Sequence, residues 1–169
     1  MAIQRLNHAV LYVREVERSV DFYRNVLGFR TVTQFPKAAF LQAADSTNDH
    51  DLGLFEIGDQ AADSPAGQTS VGLYHLAWEV DTLGEFELIG KTLSDVGALV
   101  GASNHGTTKS WYAKDPDGIE FEIAWIIPAH LITDADRAGS SGVQPLDLAA
   151  EIARFGRNER GGIGISVRA

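Results

Sequence analysis

The hydrophobic pattern of the chain begins with a strand. Residues 6–13, LNHAVLYV, alternate with period two, which is typical of a strand that has one covered face. The next segment, SVDFYRNVLGF, has apolar residues at helical spacing between a capping-type Ser19 and a glycine stop, so it predicts a short amphipathic helix. After this helix, three shorter strands are predicted in RTVTQF, KAAFLQA and DLGLFEI.

The same order of elements returns in the second half of the chain. GLYHLAWEV predicts a strand, LGEFELIGKTLSDVGA contains a helix, and three strands are predicted in ALVGAS, KSWYAKD and IEFEIAWII. His8 and His75 lie 75 − 8 = 67 residues apart, and Glu56 and Glu122 lie 122 − 56 = 66 residues apart. A nearly constant offset of this kind indicates duplicated units that pack against each other.

Composition places the boundaries of these units. GDQAADSPAGQTS, residues 58–70, has the composition of a linker. We therefore predict a first module in residues 1–58, a second module in residues 71–127 and a C-terminal extension in residues 128–169. PLDLAAEIARF, residues 145–155, predicts one more amphipathic helix, and GRNERGGIGISVRA is expected to be a mobile or partner-docked tail.

Charge and composition narrow the possible partners. The net charge of −9, from 23 acidic and 14 basic residues, argues against nucleic acid and anionic membrane surfaces as partners. The sequence has neither a basic segment followed by an apolar one at its start nor an apolar run long enough to cross a bilayer, so we expect a soluble cytoplasmic protein. Because there is no cysteine, any transition metal must be bound by His, Asp or Glu.

Strand alternation identifies the residues that could carry chemistry. His75 shares one face of its strand with Ala77 and Glu79, and Glu122 shares the corresponding face of IEFEIAWII with small and acidic neighbours. The opposite faces are apolar and would cover a helix, so the polar faces are expected to line a cup. Two imidazoles, from His8 and His75, and one carboxylate could occupy one face of a six-coordinate divalent metal and leave the other face open.

These features together resemble a known family. The repeated strand and helix order, the early histidine followed by VDFYRNVLGF, and the ending DPDGIEFEI are similar to the vicinal oxygen chelate superfamily, which includes glyoxalase I, bleomycin and fosfomycin resistance proteins and type I extradiol dioxygenases. The resemblance covers about residues 3–127. It implies an α+β fold in which two βαβββ modules form a curved mixed sheet around a metal-binding cup, here followed by a C-terminal helical segment. It also implies that His8, His75 and Glu122 are the metal ligands.

Two further stretches resemble the extradiol dioxygenases within that superfamily. His50 stands just before the fourth strand of the first half, and Tyr112 precedes Glu122 by 122 − 112 = 10 residues. The resemblance implies that His50 is a general acid and base, that Tyr112 donates a hydrogen bond to bound substrate, and that His105 is a further donor or proton acceptor. The implied reaction is meta cleavage of a small aromatic diol by dioxygen with Fe(II), or with Mn(II) or another divalent metal, in a homodimer or higher homo-oligomer.

Two alternatives remain open at this stage. Glu56 holds in the first half the position that Glu122 holds in the second, and a fourth ligand there would suit a glyoxalase I-like isomerase or lyase that uses the metal as a Lewis acid. A drug-sequestering protein of the same fold is the non-enzyme alternative. Such a protein would have no need for two histidines and a carboxylate together.

Overall fold

The computed structural model describes residues 2–66 and 69–162, which form two compact units. Among these residues, the first unit consists of 2–64 with 115–119, and the second of 65–66, 69–114 and 120–162. Among the described residues, each unit contains a mixed four-stranded sheet and the strand, helix and three-strand order predicted from the sequence. The predicted α+β class with two βαβββ modules is therefore confirmed. None of the described helices combines the length and apolar character that crossing a bilayer requires.

The first unit has a sheet with strand order β1-β4-β3-β2. Strand β1 is parallel to β4, and the other neighbouring pairs are antiparallel. The elements are β1 (Ala9–Val13), α1 (Val16–Asn25), β2 (Arg30–Phe35), β3 (Ala38–Gln42) and β4 (Leu52–Glu56). Leu11, Val13, Leu52 and Leu54 are buried at alternate strand positions, which form the face that α1 covers.

Helix α1 begins four residues earlier than its sequence suggests. Ser19, predicted as the cap, is fully buried inside the helix, and the helix starts at Val16. Val16, Val20 and Tyr23 form a buried stripe at spacings of four and three residues, so packing against the sheet sets the start of the helix. The backbone N–H of Val16 donates to the Glu56 carboxylate at 3.3 Å, which satisfies one of the free donors at this end.

The second unit has the corresponding sheet, with strand order β5-β8-β7-β6. Its elements are β5 (Leu76–Glu79), α2 (Leu83–Asp95), β6 (Leu99–Asn104), β7 (Thr108–Lys114) and β8 (Glu120–Ile126). A capping box between Thr82 and Glu85 starts α2. Phe86 stacks on Trp111 with ring centroids 5.1 Å apart, and Gly90, one turn later, lies directly against the same indole.

The C-terminal extension packs on the second unit. A short 3-10 helix (Ala129–Leu131) is followed by α3 (Asp134–Gly139) and α4 (Leu148–Phe155). Helix α4 confirms the helix predicted in this region, whereas α3 was not predicted. Arg154 of α4 donates two hydrogen bonds of 2.7 Å to Asp136 of α3, and this guanidinium holds the pKa of Asp136 well below its ordinary value.

The segment after α4 is part of the same unit. The N–H of Leu83 donates to the carbonyl of Glu159, and the N–H of Gly162 donates to the carbonyl of Ile126. The prediction of a mobile or partner-docked tail is therefore wrong for residues 156–162, because their backbone groups pair with α2 and β8. The rest of that predicted tail, residues 163–169, lies outside the described residues.

Gly90 provides a test of the packing between α2 and β7. A Cβ atom at this position would lie 2.5 Å from Trp111 Cε2, which is too close for any side chain. Glycine to alanine in a helix interior ordinarily stabilises by about 1 kcal/mol. We expect Gly90→Ala to lower the free energy of unfolding by about 1–3 kcal/mol in urea denaturation, as overpacking does. Gly142→Ala is the control, because its added Cβ meets nothing within 4 Å. A stabilised Gly90→Ala protein would contradict the packing described here.

Candidate functional site

The candidate residues of the second unit lie on the sheet face opposite the buried core of that unit. Phe121, Ile123 and Trp125 of β8 are buried, so the alternate residue Glu122 points to the other face. Glu122 is paired in register with Ala77 of β5 and with Tyr112 of β7. Residues two positions away on these neighbouring strands share its face. The sheet therefore gathers side chains that are far apart in the sequence.

His75 and Glu122 form the centre of this cluster. His75 Nε2 lies 3.1 Å from Glu122 Oε2, and the two side chains are 25% and 12% exposed. The other carboxylate oxygen, Oε1, accepts a hydrogen bond of 2.5 Å from the Ser110 hydroxyl, which fixes the orientation of the carboxylate. His75 Nδ1 is buried and has no hydrogen-bond partner among the described residues.

Tyr112 and His105 lie beside this pair. The Tyr112 hydroxyl is 2.8 Å from His105 Nε2, and the Tyr112 ring centroid is 5.8 Å from that of His75. Burial, and after it the negative charge of Glu122, raise the pKa of Tyr112 above its ordinary value. The phenol therefore stays protonated at neutral pH and can donate a hydrogen bond.

The first unit brings together the other two predicted histidines. The rings of His8 and His50 have centroids 4.5 Å apart, and Phe40 meets His50 edge-on at 5.0 Å. His50 Nδ1 is 2.9 Å from the Asp49 carboxylate, and His8 Nδ1 is 2.7 Å from the Asn7 side-chain oxygen. In both rings Nδ1 is engaged by a neighbouring oxygen, which leaves Nε2 for other chemistry.

A buried aspartate shapes the loop that carries His50. The carboxylate of Asp51 accepts hydrogen bonds from the Ala43 N–H at 2.8 Å, the Ser46 hydroxyl at 2.7 Å and the Asn48 side-chain amide at 2.7 Å. These bonds close the connection between β3 and β4 and fix the backbone next to His50. The position of His50 before β4 is as the sequence predicts.

The register of the sheets contradicts the predicted equivalence of Glu56 and Glu122. In the second unit Glu122 pairs with Ala77, two residues after His75. The corresponding pair in the first unit is Val10, two residues after His8, with Gly53. Gly53 therefore holds the position that matches Glu122. The count of 66 residues is misleading because the segments between the first and fourth strands differ in length in the two units; α1, for example, has 10 residues and α2 has 13.

Glu56 faces the helix side of its sheet. It lies at an alternate position from the buried Leu52 and Leu54, and its carboxylate accepts the Val16 N–H at the start of α1. Lys37 Nζ approaches the same carboxylate at 3.9 Å. The face that carries His8 and Gly53 is the opposite one, so Glu56 is not placed as a fourth metal ligand.

The structure brings together two of the three predicted metal ligands. The separation of 3.1 Å between His75 Nε2 and Glu122 Oε2 is close to the ~3 Å expected for neighbouring ligands that are each about 2.1 Å from one ion. This pair therefore fits a divalent metal. The third predicted ligand, His8, belongs to the first unit. Within residues 2–66 and 69–162, no group of three or more His, Asp or Glu side chains converges as a ligand set.

Sequence reasoning missed two polar neighbours of this cluster. Ser110 precedes Tyr112 by two residues, so alternation along β7 could have placed it on the same face. Tyr74 lies in the strand predicted from GLYHLAWEV, where alternation would set it on the face opposite His75, but the observed β5 begins only at Leu76. Its ring centroid lies 4.7 Å from that of His75, and a side-chain hydrogen bond to Glu120 raises the pKa of Tyr74.

Comparison with known proteins identifies the family. The sequence model of the glyoxalase/bleomycin resistance protein/dioxygenase superfamily matches residues 5–123. The chain belongs to this superfamily. The match confirms the resemblance inferred from the sequence motifs. The C-terminal extension lies outside the matched residues.

The relatives of the chain in this superfamily differ in their reactions. The chain is 30% identical over 118 residues to a catechol-2,3-dioxygenase of Bacillus subtilis, and the match covers 70% of this chain and 40% of that protein. It is 32% identical over 122 residues to a lactoylglutathione lyase of Neisseria meningitidis, with 70% of this chain and 88% of that protein covered. Membership of the superfamily therefore supports an enzymatic function with a small-molecule substrate. It does not identify the reaction.

The solved structures support the same fold. A glyoxalase/dioxygenase from Nostoc punctiforme matches with a TM-score of 0.58 at 24% identity, over 72% of this chain and 90% of that chain. At this identity the match concerns the superfamily fold alone.

The placement of Glu56 and Glu122 predicts opposite effects on metal binding. Glu122→Ala removes a proposed ligand, so we expect its affinity for Fe(II) or Mn(II) to fall by roughly a hundredfold or more, beyond the loss usual for groups that only support a ligand. Glu56→Ala should bind metal like the parent chain, because its carboxylate faces α1. Anaerobic equilibrium dialysis with metal analysis measures both. Equal loss in the two variants would contradict the assignment of Glu56 to the helix side.

Proposed function

We propose that this chain is a divalent-metal-dependent dioxygenase that cleaves a catechol-type diol at the bond beside the two hydroxyls. The observation that carries the proposal is the cluster of His75, Glu122, Tyr112 and His105 on one sheet face. It combines a metal-ligating pair with a protonated phenol and a second imidazole. An oxygenase that binds an anionic diol on a metal needs this combination of charge and hydrogen-bond donors.

In this proposal His75 and Glu122 hold the metal, with His8 as the third ligand that the resemblance implies. When bound, ferrous iron would supply Lewis acidity towards the diol oxygens and redox chemistry towards dioxygen. Mn(II) accepts the same donor set and is the alternative ion. Gly53 gives the first unit no carboxylate that would occupy a further position.

Tyr112 orients the substrate. Its phenol stays protonated because of burial and the nearby Glu122 charge, so it can donate to an oxygen of the bound diol. The Nε2–H tautomer of His105 would then donate to the phenol oxygen over the observed distance of 2.8 Å, which leaves the phenol proton directed at the substrate. The diol oxygen that accepts this hydrogen bond thereby differs from the other diol oxygen, so one can be anionic while its neighbour keeps a proton.

His50 is the proposed acid and base. With Nδ1 held by Asp49, its Nε2 can take a proton from the arriving diol and return it later in the reaction. Both atoms of dioxygen enter the ring-opened product, so the overall reaction needs no external reductant. His50 returns the same proton that it removes, so the atoms of the proposed reaction balance.

A lactoylglutathione lyase-like isomerisation is the second candidate, because that relative matches at 32% identity over 88% of its own length. Its four-ligand form would use Glu56. Because Glu56 faces α1, the structure argues against that four-ligand form. The drug-sequestering alternative would give the paired His75 and Glu122 no role.

Dioxygen uptake tests the proposed reaction. Protein reconstituted anaerobically with Fe(II) is challenged with a panel of substituted catechols, and oxygen consumption is followed together with the absorbance of a yellow ring-opened product. We expect uptake by the parent chain and by Glu56→Ala, and none by Glu122→Ala. Iron-loaded protein that consumes no oxygen with any catechol would refute the proposal and direct attention to hemithioacetal isomerisation.

His50→Gln tests the proton transfer. The amide keeps a hydrogen-bonding side chain of similar length but cannot exchange a proton, so we expect kcat to fall by about a hundredfold or more while iron binding is retained. His130→Gln is the matched control, since His130 is an exposed histidine of the extension. A kcat for His50→Gln within twofold of the parent would remove His50 from the mechanism.

A further inference from the structure

The loop that carries His105 is held by the C-terminal extension. This loop, here taken as Asn104–Thr107, consists of the last residue of β6 and the turn to β7, and its residue His105 is within hydrogen-bond distance of Tyr112. Residues of α3, of α4 and of the segment between them contact the loop on separate sides. The extension lies outside the part of the chain that matches the superfamily, so the family match does not account for these contacts.

A buried lysine connects the loop to α4. Lys109 is 1% exposed, and its ammonium group donates to Asn104 Oδ1 at 2.8 Å, to the carbonyl of Gly106 at 2.9 Å and to Glu151 Oε1 at 2.9 Å. The three donors of the ammonium are thus all used, two on the loop and one on the extension. Glu151 is the only partner among these that carries a charge, so it balances the buried ammonium.

The segment between α3 and α4 pairs with the loop backbone. Asn104 and Gln144 exchange two backbone hydrogen bonds, of 2.8 and 3.0 Å, in a short antiparallel bridge. The Asn104 side chain also reaches Glu151 Oε1 at 3.4 Å. The residue before His105 is therefore fixed through both its backbone and its side chain.

Helix α3 lies directly against the turn of the loop. Gly106 has φ of +74°, and a Cβ built on it would lie 2.1 Å from the carbonyl oxygen of Asp136. Only glycine fits this conformation and this contact. The close approach restricts the backbone on the other side of His105.

We propose that the C-terminal extension is a positioning element for His105, and that it acts through the buried ion pair between Lys109 and Glu151. The pair fixes the loop so that His105 meets the Tyr112 hydroxyl. The functional part of this inference rests on the proposed role of Tyr112 and His105 in substrate binding. Lys109 and Glu151 touch neither substrate nor metal and are positioning residues.

Other contacts attach the C-terminal extension to the rest of the second unit without this ion pair. Phe155 packs on the buried Trp125 with centroids 5.3 Å apart, and Arg157 forms an ion pair with Glu87 of α2 at 2.6 Å. These contacts hold α4 on the unit without touching the loop. A buried ion pair costs desolvation that an apolar contact would avoid, so its use at the base of the His105 loop indicates a geometric task.

Histidine resonances test the positioning without reference to activity. Imidazole nitrogen and proton NMR spectra of the full chain are recorded, with His105 assigned by its loss in His105→Gln. We expect Lys109→Met and Glu151→Gln to shift the His105 resonances and to leave those of His130 unchanged. Glu87→Gln is the matched control, because it removes the ion pair of Arg157, just after α4, which does not reach the loop. Unchanged His105 resonances in folded Lys109→Met and Glu151→Gln proteins would overturn the proposal.

A second pair of measurements separates positioning from simple destabilisation. If Glu151 acts through His105, then Glu151→Gln should lower kcat for a catechol by about tenfold or more, and adding it to His105→Gln should cause no further loss. Additive losses would overturn the proposal. If Lys109→Met does not fold, Lys109→Met with Glu151→Leu removes both charges and takes its place. Should no catechol be turned over by the parent chain, the proposed reaction fails, and the NMR result alone decides the positioning.

Discussion

A strand that buries one face against a helix has only its alternate positions left for polar side chains. In the second unit, Phe121, Ile123 and Trp125 occupy the buried positions of β8, and Glu122 must therefore point the other way. Strand pairing then sets Ala77 and Tyr112 beside it. The chemistry of the chain thus depends on the burial of three apolar residues that take no part in it.

The two units have the same strand framework and different side chains at equivalent positions. In the second unit, Glu122 of β8 pairs with Ala77 of β5. The equivalent residue in the first unit is Gly53 of β4, which pairs with Val10 of β1. One unit consequently offers an imidazole and a carboxylate, and the other offers two neighbouring imidazoles, His8 and His50. The repeat supplies equivalent backbone positions, and different residues at those positions give the two units different side-chain chemistry.

Sequence patterns were sufficient for the strands, for their repeated order and for the face of β8 on which Glu122 lies, because each of these follows from the pattern within one element. They were insufficient where a second element decides the outcome. The start of α1 is set by packing of Val16 rather than by a cap at Ser19. The direction of Glu56 depends on strand register, which a residue count cannot give when connections differ in length. The bridge between Gln144 and Asn104 joins segments whose sequences carry no mutual signal.

Lys109 links β7 of the second unit to the C-terminal extension through Glu151. A shortened chain that ended just after β8 would leave this ammonium without its carboxylate and would uncover the indole of Trp125. A graft of the two βαβββ modules alone into another protein would therefore carry a charge in its core and an exposed aromatic ring on its surface. For protein engineering, the smallest transferable piece of this chain includes α4.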